Sequence, residues 1–96
     1  MTAANGARGE VAVTLGGARR RLCLTLGALA EIETGLALDG LEALGERMRR
    51  LSARDLMVVL AALLRGGGEE DAELVARSVD PKAAAEAVAA AFAACC

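Results

Sequence analysis

No histidine, tryptophan or tyrosine occurs in this chain, and Phe92 is its one aromatic residue. Without histidine it lacks the commonest general base, the commonest metal ligand and the usual pH switch. Ser/His/Asp and Cys/His catalytic arrangements are therefore impossible. Without aromatics the core has to come from Leu, Val, Ile, Met and close-packed Ala, which suits helices in near contact. The same shortage leaves no platform on which bases could stack. A net charge of −2 gives no general attraction for polyanions. Cys23, Cys95 and Cys96 form neither a CxxC pair nor a ligand spacing, and their odd number suits a reducing compartment. Residues 1–9 carry no apolar signal-peptide core, and no apolar run is long enough to span a bilayer. The expectation is a cytoplasmic protein with no cofactor, no metal and no membrane partner.

What is present fits a chain of 96 residues that can bury a modest core without staples. Residues 1–9 read as a flexible leader and residues 10–96 as a single α+β domain. Val11, Val13 and Leu15 alternate with Ala12 and Thr14, the pattern of a strand with one buried face. Gly16 and Gly17 supply the positive φ angles of a tight hairpin turn. A second strand follows, with Leu22 and Leu24 on one side and Arg19, Arg21 and Cys23 on the other. A lone hairpin is barely stable in water, so its Val/Leu face must lie on helices.

Thr25 reads as an N-cap, with Leu26, Leu29, Ile32 and Leu36 at helical spacing and Gly35 as the C-terminal cap. Asp39 with Glu42 resembles a capping box opening a second helix, whose stripe is Leu41, Leu44, Met48 and Leu51. Ser52 with Asp55 repeats that arrangement. The helix after it, through Leu56, Met57, Val58, Val59, Leu60, Leu63 and Leu64, is apolar nearly all round and should be the buried centre of the fold. Gly66, Gly67 and Gly68 end it and are the best hinge in the chain. A short acidic-led helix through Leu74 and Val75 comes next. Asp80 and Pro81 then start an alanine-rich helix with Val88, Ala91 and Phe92 on one side. The fold class predicted is α+β, an N-terminal β-hairpin packed on a bundle of four or five short helices.

Carboxylate neighbours such as Glu31 with Glu33 and Glu69 with Glu70 point apart on a helix and make no acid/base dyad. GGARRR and RGGG lack the spacing and lysine of a phosphate loop. The chemistry-bearing features left are two arginine groups: Arg19, Arg20 and Arg21, and Arg47, Arg49, Arg50 and Arg54. Each suits an acidic partner, and each also suits a protected strand edge or a helix C-terminus. Apolar helical faces rich in Leu and Ala offer a groove for a partner helix as a further possibility.

The order of these elements carries a resemblance. The hairpin with GGARRRLCL, the helix start TLGALAE and the junction LSARD, followed by the triglycine, cover about residues 10–68. Together they resemble the gene transfer agent tail protein family, whose members are small phage-type tail proteins described as tail tube or tail assembly chaperone proteins. No single motif is specific; their order is. The resemblance implies a non-enzymatic role in building a phage-like tail, as an assembly chaperone for the tape-measure protein or, as the alternative, a structural tail tube subunit. The chain would lie in the cytoplasm or be incorporated in a phage-like particle. Its partner would be a tape-measure or tail tube protein, with self-association as another mode. The Cys95 and Cys96 ending is not part of the family pattern. The contact residues expected are Arg19 and Arg21 on the hairpin, Arg47 and Arg50 closing the second helix, and Phe92 on the last. Two rivals come from other classes: a small DNA-binding regulator using the arginines between positions 47 and 54, and a redox or metal protein using the cysteines.

Overall fold

Seven elements follow one another in a computed structural model that describes residues 10–94. Two strands, β1 (Glu10–Leu15) and β2 (Ala18–Cys23), pair antiparallel. Five helices follow: α1 (Leu26–Leu36), α2 (Leu41–Met48), α3 (Ala53–Gly66), α4 (Ala72–Ser78) and α5 (Pro81–Ala94). The α+β class and the hairpin-then-helices order agree with the sequence. The leader at 1–9, Cys95 and Cys96 lie outside the described residues.

The hairpin turns on Gly16 and Gly17, with φ of 61° and 82°, and its register runs from Glu10 opposite Cys23 to Leu15 opposite Ala18. Positive φ at both turn positions matches the natural twist of the strands. Leu15 and Leu22 from the inner face are buried in the helical core.

Helix α3 is the centre. Residues 59–64 are all buried, and the helix packs against α1, α4, α5 and β2. Leu22, Ile32, Val59, Leu60, Leu63 and Leu64 are the largest wholly buried side chains. Burial of each contributes about 1.5–3 kcal/mol, so this cluster holds the hairpin and helices together. The N-terminal part of α3 departs from the expected all-round burial. Met57 is 38% exposed there, and Leu56 and Val58 are half-buried.

Local capping accounts for most boundaries. Thr25 Oγ1 accepts from the Ala28 N–H at 3.0 Å, and Asp80 Oδ2 accepts from the Ala83 N–H at 3.0 Å. At Ser52 the box is complete: the Asp55 N–H donates to Ser52 Oγ (3.0 Å), and the Ser52 N–H donates to Asp55 Oδ2 (3.2 Å).

Two expected caps are corrected. Gly35 does not end α1; the helix runs to Leu36 and closes on Ala37, which takes the left-handed conformation (φ 56°). The Leu38 N–H bonds the Glu33 carbonyl and the Ala37 N–H the Thr34 carbonyl, a Schellman closure. Asp39 does not cap α2, whose N-cap is Gly40 with no side-chain bond. Gly35 instead marks close packing: a Cβ there would lie 2.5 Å from Val58 Cγ1.

The triglycine has separate physical roles at its three positions. Gly68 (φ +97°) takes the positive-φ position of the α3 closure. Gly66 and Gly67 lie against the backbone of β2. A Cβ on Gly66 would collide with the Cys23 carbonyl oxygen, and one on Gly67 with that of Arg21.

Candidate functional site

Between α1, α3 and α4 runs an open groove of about 810 Å³. Small residues form it. Ala30 and Thr34 come from α1, Val58 and Ala61 from α3, and Ala76 from α4, so no bulky side chain fills the space above α3. Gly35 lets α1 settle onto Val58, which fixes one wall. Met57 gives the floor an exposed, adaptable apolar surface.

The rim is charged. Arg65 Nε donates to Glu31 Oε1 at 3.0 Å and closes one α1–α3 contact, both side chains being 44% exposed. Arg54, Arg77 and Glu73 complete the rim. Neither Arg54 nor Arg77 forms an ion pair among the described residues. The site therefore combines an apolar floor with two uncommitted guanidinium groups, which suits non-covalent contact with a partner.

None of the five contact residues expected from the sequence lines this groove. Arg19 is exposed on β2 opposite Thr14, and Arg21 is exposed with Nη1 3.5 Å from Glu10 Oε2. Arg50 is exposed just beyond α2, and Phe92 is half-buried against the core. Arg47 is committed within the chain. Its Nε donates to Asp55 Oδ2 (2.8 Å), its Nη2 to Asp55 Oδ1 (3.1 Å) and its Nη1 to the Leu36 carbonyl (3.3 Å). Asp55 is buried, and the Arg47 hydrogen bonds hold its carboxyl below the usual range, helped by the Ser52 N–H. This clasp joins the ends of α1 and α2 to the start of α3, beside Arg54.

Of the groove residues, Arg54 stands out in the sequence as part of an arginine cluster. Met57, Arg65, Glu73 and Arg77 do not stand out as a site, because their grouping depends on how three helices pack. On α3 the one available signal is the row Arg54, Met57, Val58, Ala61 and Arg65, which follows helical spacing and is bounded by charge at both ends.

A second, smaller hollow of about 280 Å³ lies by the hairpin turn, next to Gly16, Leu74 and Val79. Arg20 crosses it. Its Nε donates to the Leu15 carbonyl (2.9 Å) and its Nη1 to Glu69 Oε1 (3.1 Å), tying the hairpin to the α3–α4 connection. Among the described residues no helix is long and apolar enough to cross a membrane.

A family profile described as "Phage tail tube protein, GTA-gp10" matches residues 8–95. No curated protein and no solved structure matches the chain.

Proposed function

Because the chain belongs to the phage tail tube protein family of GTA-gp10 type, we propose that it serves tail morphogenesis through protein contacts, as an assembly chaperone for the tape-measure protein. The open groove between α1, α3 and α4 carries this reading. A long helical client needs its apolar stripe shielded until tube subunits polymerise around it, and a groove of this kind accepts one helix face at a time. Its charged, open rim favours contacts that form and release readily. The role is non-enzymatic and is exercised in the cytoplasm.

The test is co-expression with the tape-measure protein of the same tail gene cluster, measuring the soluble fraction of that protein. Solubility that rises with this chain and is lost when the Met57 surface is made charged, in a variant that still folds, supports the chaperone. No rescue contradicts it.

A second reading, a structural tube subunit, draws on the family description and on β1. In a two-residue hairpin the Leu15/Ala18 pair closes with hydrogen bonds, so Ala12 and Thr14 turn their backbone N–H and C=O away from β2. That edge would pair with a neighbouring protomer, and the exposed Arg19 and Arg21 would limit careless pairing. This reading predicts rings or tubes from the chain alone.

A further inference from the structure

We propose that the α1–α3–α4 groove selects its occupant by charge, binding an amphipathic helix whose apolar stripe is flanked by carboxylates. The inference rests on the chaperone reading and adds the chemistry by which client segments are recognised.

Three observations carry it. Arg54 and Arg65 bound the α3 side eleven positions apart, about 16 Å at 1.5 Å per residue, which spans about three turns of a docked helix. The floor of Ala30, Val58, Ala61 and Ala76 is small and apolar, so a helix backbone can approach closely without displacing large side chains. The third observation is the charge on the rim. Three arginines face two glutamates; one arginine, Arg65, is already closed on Glu31, leaving Arg54 and Arg77 without an ion pair among the described residues and Glu73 as the remaining carboxylate of the lining. An incoming carboxylate gains an arginine partner there, while an incoming lysine meets like charge.

A nucleic acid would gain the arginines but would leave the apolar floor uncovered. The alanine-rich α5 of a second copy is a poor match as well, because its outward face offers one carboxylate, Glu86, with Lys82 one turn away.

The experiment uses the full chain and overlapping helical peptides covering the tape-measure protein, with binding read by fluorescence anisotropy. The expected binders combine an Ala/Leu stripe with flanking Asp or Glu, and their affinity falls as salt rises. Arg54→Glu with Arg77→Glu should weaken these peptides by about fivefold or more while leaving the melting temperature near wild type. Peptides whose flanking Glu are changed to Lys should prefer that double variant over wild type.

Equal binding of neutral or basic segments overturns the inference, as does affinity indifferent to the double substitution. Solubilisation of the intact tape-measure protein that survives the double variant also overturns it and leaves the chaperone reading standing. Failure of the wild-type chain both to bind any segment and to solubilise the intact protein overturns the two together. Self-association abolished by the double variant would assign the groove to a second copy and overturn the acidic-client proposal.

Discussion

Arg47 grips Asp55 with a two-pronged guanidinium contact, at 2.8 and 3.1 Å, while the same carboxylate closes the Ser52 capping box. One buried side chain therefore both starts α3 and fastens α2 to it. Because Asp55 is held below its ordinary pKa of 3.8, its contribution to stability is full above that value and is lost as pH falls through the lower, folded value. Asp55→Asn should lower the melting temperature at neutral pH by about 4–8 °C or more. The gap between wild type and variant should narrow as pH drops from about 5 to about 2. Thermal melts followed by circular dichroism across that range check both statements. A gap independent of pH would mean that the Arg47 pairing contributes nothing specific to the charged form.

Glycine substitutions should split by sign. Gly45 lies in α2 with nothing within 4 Å of where an added methyl would sit, so Gly45→Ala should stabilise by about 0.5–1 kcal/mol through helix propensity alone. Gly66→Ala has a similar propensity gain, but its methyl collides with the Cys23 carbonyl, a backbone group that cannot swing away. Overpacking of that kind costs about 1–3 kcal/mol, so the net effect should be destabilising. Gly35→Ala meets the Val58 side chain and should fall on the destabilising side too. Urea unfolding of the three variants ranks them.

The hairpin arginines should differ although they are adjacent. Arg20 is tied to the Leu15 carbonyl and to Glu69, and Arg19 is exposed without a hydrogen bond to another described residue. Arg20→Ala should cost about 1–2 kcal/mol, while Arg19→Ala should stay within about 0.5 kcal/mol. Equal losses in chemical denaturation would show that the Arg20 contacts do not anchor the hairpin.

The parts of the fold that can be read from sequence are those decided by residues a few positions apart. Gly16 with Gly17, the Thr25 cap, the Ser52/Asp55 box and the Asp80/Pro81 start are local chemistry, and each holds. Gly35 misleads because a glycine near a helix end reads as a cap, whereas its actual constraint is Val58 on another helix. Arg47 and Asp55 are each legible alone, as a helix-dipole charge and a capping residue. Only the α2–α3 turn brings them together. Met57 reads as buried because its neighbours in sequence are apolar, yet it faces the open groove between three helices and is part-exposed there. The groove is an outcome of helix lengths and packing, so a one-dimensional reading indicates its arginine at position 54 but not its shape.

An assembly chaperone helps to build the tail without becoming part of the tube, and this difference can be counted. Quantitative mass spectrometry of purified phage-like particles, with the tail tube and tape-measure proteins as internal references, gives the copy number. A chaperone leaves before the tail is complete, so the proposed role predicts that this chain is absent or far below the tape-measure protein in abundance. Many copies per particle, in proportion to the length of the tube, would contradict the chaperone and make the chain a structural subunit.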